Sequence, residues 1–131
     1  MSTQDLICAL LCASCFACLG ATPQRVARAP VTATLSNPSR AWELVQDGKV
    51  LGTLVEFEEL YGGRRFFSVR NADQQELGLV DEHGRAWRFV PHARDSEWLG
   101  SGTIFEGARR ILGTSRKLAV FEVDLETLAR P

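Results

Sequence analysis

The side chains best equipped for chemistry gather at one end of the chain. Cys8, Cys12, Cys15 and Cys18 are its only cysteines, and their spacing of 4, 3 and 3 residues puts them on roughly one side of a helix. Thiolates strung along about three helical turns do not converge on one ion. Structural zinc sites more often use short Cys pairs separated by a loop. A disulfide inside such a helix is disfavoured by the direction of the Cβ vectors. No metal is therefore assigned to this segment. Its physical character is set by its neighbours, since no charged side chain occurs between Leu6 and Ala21.

As a helix that run rises about 24 Å, short of the roughly 30 Å hydrocarbon core of a bilayer. A secretory leader needs only a short apolar stretch followed by small residues, which CASC, CFAC and CLGA supply. Residues 1–5 lack the Lys or Arg of an ordinary leader and carry Asp5 instead. Cys15 and Cys18 each follow a small residue, an arrangement that resembles the modified cysteine of bacterial lipoprotein leaders. The resemblance makes Cys18 and Cys15 the candidates for lipidation, with Cys replacing the usual Leu upstream. Residues 1–21 are thus expected to be a signal peptide or a membrane-associating helix, the alternative being a helix packed into a soluble protein.

The remaining chemistry is sparse. His83 lies beside Asp81 and Glu82, and His92 is followed by Asp95 and Glu97. A His with two carboxylates can hold a divalent metal, but acids are common in exposed turns, and solvated turns are the expectation for both. GSGT at residues 100–103 lacks the strand–elbow–helix setting of a serine nucleophile. Neither GSGT nor ILGTSRK has the length or lysine placement of a phosphate-gripping loop. No dinucleotide fingerprint occurs. No catalytic residue, cofactor or metal is assigned.

Composition narrows the partners. The 131 residues are 45% hydrophobic and 24% charged, with net charge −1, as expected for one folded domain. Beyond residue 21 acids and bases balance, which gives no electrostatic argument for nucleic acid. Loop tryptophans and arginines are enriched where proteins bury a partner. Trp98, Arg94, Arg109 and Arg110 are the candidates for such contact, whereas Trp42 and Trp87 are expected to cover the core.

The elements that must position these residues read as β structure. Residues 22–40 carry Pro23, Pro30 and Pro38 and read as a linker, with a short edge strand at VTATL. The folded domain is expected over 41–131. WELVQDGKVLGTLVEFEE forms a hairpin turning at Asp47-Gly48, with Leu44, Val50 and Leu54 as core candidates. RRFFSVRN is a strand, and QELGLVDEHGRAWRFVPH is a second hairpin turning at Asp81 to Gly84. Gly52 and Gly78 fall at equivalent places in two similar units. That recurrence predicts a bulge, a bend, or a bulky neighbour over the backbone, with Trp42, Phe66 and Trp87 as the neighbours considered. TIFEGARRILG predicts a short helix capped by Thr103 and Glu106 and ended by Gly113, packing Ile104, Ala108 and Ile111 or Leu112 on the sheet. KLAVFEVDLE supplies the last strand. The fold class expected is mainly β: a small antiparallel meander or barrel-like domain with at most one short helix.

These features point to a non-enzymatic, protein-binding accessory subunit of a membrane or cell-envelope assembly, held at the membrane by a lipid anchor or exported to the periplasm. One alternative is an envelope enzyme or ligand-binding domain using the loops around His83 and His92. Another is a soluble oligomer subunit with a packed N-terminal helix.

Overall fold

The computed structural model describes residues 36–129. The segment expected to be a leader or membrane-associating helix, with the four cysteines, and VTATL lie outside the described residues. Seven strands form one antiparallel sheet: β1 (Ser36–Gln46), β2 (Lys49–Glu59), β3 (Arg65–Asn71), β4 (Glu76–Asp81), β5 (Arg85–Arg88), β6 (Glu97–Ser101) and β7 (Ala119–Val123). Helix α1 (Ile104–Leu112) joins β6 to β7, and α2 (Leu125–Leu128) follows β7. The strand order is β6-β5-β4-β3-β2-β1-β7. The first six strands are therefore a meander, and the last crosses the sheet to pair with β1. The barrel-like alternative does not occur: the sheet is open, because β6 and β7 are its two edges. There are two short helices rather than at most one. β1 begins at Ser36, inside the stretch read as linker.

Local sequence explains the turns and the helix. Asp47 and Gly48 stand at φ 52° and 76°, the type I′ geometry that matches the twist of the flanking strands. At the second hairpin, the Asp81 carboxylate accepts from the amides of His83 at 3.0 Å and Arg85 at 2.9 Å. Thr103 and Glu106 form a reciprocal capping box on α1, and Gly113 ends the helix in the left-handed region.

One helix covers one face. Trp42, Leu44, Leu54, Phe67, Val69, Val80 and Ala86 form a buried cluster with Ala108 and Ile111 of α1. On the opposite face, Ala41, Val55, Ser68, Leu79 and Trp87 make a second cross-strand row and are also buried. The Ser68 hydroxyl is buried there without a hydrogen-bond partner, a small cost inside an otherwise apolar row.

The glycine recurrence has a physical cause. Leu44 pairs with Gly52 and Val45 with Val50, which leaves Leu51 as an extra, bulged residue. Val69 pairs with Gly78 and Arg70 with Glu76, which bulges Leu77 in the same way. A third copy follows on β6, where Ala86 pairs with Gly100 and Trp87 with Trp98, bulging Leu99. A Cβ on Gly52 would run into the backbone carbonyl oxygen of Arg70 and stand 3.1 Å from Leu112 Cδ2, one on Gly78 would run into the carbonyl oxygen of Trp87 and stand 3.0 Å from Ile111 Cγ2, and one on Gly100 would stand 3.2 Å from Arg110 Nη1. Gly52 and Gly78 are thus required first by the close approach of the next strand's backbone, and all three glycines also admit successive helix residues. The neighbours over them are side chains of α1, not the rings of Trp42, Phe66 or Trp87. Val50 does not reach the core, because the bulge at Leu51 reverses the facing of the residues before it and leaves Val50 exposed.

Candidate functional site

The helix is too short for the sheet. Nine residues span about 14 Å, whereas seven strands at roughly 4.8 Å spacing extend about 29 Å. α1 packs on β2 to β6 and reaches β1 at Trp42, which leaves the β7 flank of the same face only partly covered, with Leu118 and Val120 half-buried against the core cluster. A groove of about 520 Å³ results, lined by Thr103, Phe105, Glu106 and Arg109 from α1 and by Ser115, Lys117, Leu118 and Val120 from the approach to β7 and the strand itself.

The groove is apolar along its length and cationic at one end. Phe105 walls the side nearest the core and is backed by Trp42, which it meets edge-on with ring centroids 6.0 Å apart. Leu118 and Val120 form the other wall. Arg109 donates to the Ser115 carbonyl oxygen at 3.0 Å, a neutral acceptor that leaves its charge uncompensated. Lys117 makes no ion pair among the described residues. The acid in the lining, Glu106, accepts from the Thr103 amide.

On the other side of Phe105 the surface continues into a second hollow of about 460 Å³, lined by Arg40, Trp42, Glu56, Arg65, Phe67, Ile104 and Phe105. Register explains its charges. Arg40 of β1 stands opposite Glu56 of β2, and Glu56 opposite Phe67 of β3. The Glu56 residue is only 4% exposed, and its carboxylate takes a long 3.5 Å contact from Arg65 Nη1. Arg40 makes a two-pronged pair with Glu122 of β7, both bonds at 2.9 Å, while its guanidinium carbon lies 4.9 Å from the Trp42 ring centre. Hydrogen bonding to Arg40 holds the Glu122 carboxyl below its ordinary pKa, and the same bond raises that of Arg40. Positive and negative groups therefore alternate from strand to strand, and they largely satisfy one another.

The residues singled out from sequence do not converge. Trp98 sits on the face opposite α1, half-buried, with its ring centre 5.3 Å from that of Trp87. Arg110 turns to the edge strand and donates to the carbonyl oxygens of Leu99 at 3.4 Å and Ser101 at 3.2 Å. Arg109 is in the groove. Arg94 is exposed in the loop between β5 and β6. His83 lines a smaller hollow of about 310 Å³ with Arg65, Phe67, Glu82 and Ile104, its Nε2 3.6 Å from Glu82 Oε1. His92 is not part of that lining and stands in an exposed turn at φ 62°. Among the described residues no group of three or more His, Cys, Asp or Glu side chains gathers in a way that would hold a metal.

Sequence reasoning missed Phe105, Lys117, Leu118 and Val120 as a group. One signal was available: TIFEGARRILG places Phe105 next to Ile104, and one short helix cannot bury both.

Among the described residues no helix is long and apolar enough to cross a membrane. No protein-family model matches this chain, and neither does any curated protein or solved structure.

Proposed function

We propose that the chain is a non-enzymatic accessory domain that binds a protein partner through the groove between α1 and β7. The observation that carries this reading is the partly covered β7 flank of the sheet. Phe105, Leu118 and Val120 form an apolar trough with Arg109 and Lys117 uncompensated beside it. Burying such a trough removes apolar area from water, while the cations fix the orientation of what fills it.

Placing a photo-crosslinking benzoylphenylalanine at Phe105, and for comparison at Tyr61, tests the reading. Tyr61 is 81% exposed and lies in the loop between β2 and β3. The expected result is one discrete protein adduct from position 105 in native membranes, abolished by Leu118→Asp, and none from position 61. Equal adducts from both positions, or none from 105, overturn the reading.

The assembly is further proposed to be a membrane or envelope one, with the leader either lipidated at Cys18 or Cys15 or removed on export. Support comes from the charge-free run before residue 22 and the proline-containing stretch after it. Intact mass on membrane-extracted protein is the test. Loss of residues 1–14 or 1–17 with added acyl mass means a lipid anchor, and loss of about 20 residues without it means secretion.

A second reading, a small-ligand domain around His83, is favoured only by the hollow His83 shares with Glu82 and Arg65. Under that reading His83→Ala abolishes ligand capture and leaves the position-105 adduct intact.

A further inference from the structure

The two edges of the sheet are built differently. β6 is closed to further pairing by three devices. Leu99 bulges out of register, Gly100 stands at φ 96°, and Arg110 places its guanidinium on the Leu99 and Ser101 carbonyl oxygens. Bulges and charges laid on an edge are how sheets avoid unwanted strands. Among the described residues β7 carries none of these. It pairs with β1 from Ala119 to Val123 without a register shift, and its other side ends the sheet. Its sequence, AVFEV, is rich in strand-forming side chains, and Phe121 is 56% exposed.

We propose that β7 is a strand-accepting edge. The occupant is an extended segment of the partner protein, apolar at alternate positions and carrying a carboxylate where it passes Lys117 and Arg109. Added to β7, such a segment makes main-chain hydrogen bonds to Ala119–Val123, which span about 17 Å. One set of its side chains then lies beside Leu118 and Val120 at the outer lip of the groove, and the other set flanks Phe121. The uncompensated cations select acid over base. The inference rests on the groove reading and adds to it the backbone conformation and charge of what binds.

The probe is a fluorescent seven-residue peptide alternating valine and threonine and ending in glutamate, titrated by anisotropy against the full-length protein in mild detergent. Three companions are an analogue N-methylated at alternate amides, a lysine-ended analogue, and the Lys117→Glu protein. The glutamate peptide is expected to bind and to slow amide exchange within residues 119–123. N-methylation should weaken it at least tenfold. Lys117→Glu should weaken it about fivefold and transfer the preference to the lysine peptide. Equal binding of the N-methylated analogue overturns strand addition while leaving the groove reading standing. So does failure of every peptide when position 105 still crosslinks. If neither peptide nor crosslink is seen, both fall. A dimer by sedimentation, with residues 119–123 already protected, identifies a second copy as the occupant and overturns the partner segment.

Discussion

Gly107 in the middle of α1 offers a direct test of how the helix is seated. Replacing a helix-interior glycine by alanine ordinarily gains about 1 kcal/mol. Here a Cβ would stand 3.0 Å from Val80 Cγ2, 3.1 Å from Val80 Cγ1 and 3.2 Å from the Ala86 Cβ. All three belong to fully buried side chains, so none can swing away into solvent. Overpacking of this kind costs about 1–3 kcal/mol. Gly107→Ala should therefore be neutral to about 2 kcal/mol destabilising, where propensity alone predicts a gain. Val80→Ala removes two buried methyl groups at about 0.5–1.5 kcal/mol each and opens the space a Cβ at 107 needs. The double variant should be no less stable than Val80→Ala alone, with a coupling of about 1–2 kcal/mol between the sites. Urea unfolding followed by tryptophan fluorescence measures all four species, and an unchanged slope would confirm that only stability differs. A single Gly107→Ala variant about 1 kcal/mol more stable than the parent would refute the close approach. Additivity within about 0.3 kcal/mol would do the same.

The remaining predictions concern turns and charges. Gly48→Ala places a side chain at φ 76° with nothing within 4 Å, so it should cost only the left-handed penalty of about 1–2 kcal/mol. Gly84→Ala carries the same penalty, and its Cβ also meets the backbone carbonyl of Gly102; in thermal unfolding it should fall well below Gly48→Ala. Asp81→Ala strips acceptors from the amides of His83 and Arg85 and the partner from Arg85 Nε at 2.6 Å. About 1–3 kcal/mol should be lost, and an unaffected variant would mean that the turn holds without its carboxylate. The Glu122 carboxyl is held below its ordinary pKa by Arg40. Any stability this adds is present above the unfolded-state pKa and is lost as pH falls through the folded one. Carbon-detected NMR titration should show Glu122 moving back up to the ordinary carboxylate range in Arg40→Met, and no movement would refute the pairing.

Local chemistry was legible where one residue type decides one conformation. Asp47-Gly48 reverses the chain because both positions need positive φ. Thr103, Glu106 and Gly113 mark the ends of α1 because each satisfies backbone groups the helix leaves unpaired. The glycine recurrence was legible at Gly52 and Gly78 but not at Gly100, whose neighbours in sequence look like loop. What lay over those glycines was not legible, because α1 is distant in sequence from β2 and β4. Closure failed for a related reason. A run of strands with alternating faces is compatible with barrel or open sheet, and only the lack of pairing between β6 and β7 distinguishes them. The arginines were read as one surface feature, yet Arg109 and Arg110 point to different acceptors on different sides of the helix.

The groove follows from where the repeat stops. Three alternate hairpins of the meander, β1–β2, β3–β4 and β5–β6, each set an apolar residue opposite a glycine: Leu44 with Gly52, Val69 with Gly78, Ala86 with Gly100. Each glycine lets a side chain of α1 approach the backbone, and the bulged leucine before it adds local twist. The helix is held over those glycines and cannot slide toward β7 without losing them. β7 belongs to no hairpin of the repeat, and its helix-facing residue opposite Leu44 is Val120, not glycine. A side chain there props the space between strand and helix open. The same arrangement fixes Arg110 over β6, since Gly100 admits its guanidinium to that edge. One helix position therefore does two things at once: it closes the sheet edge at β6 and leaves the groove on the face beside β7. Moving α1 toward β7 would fill the groove and uncover the β6 edge together. Closure of the β6 edge and the width of the groove beside β7 are in this way coupled through a single rigid element.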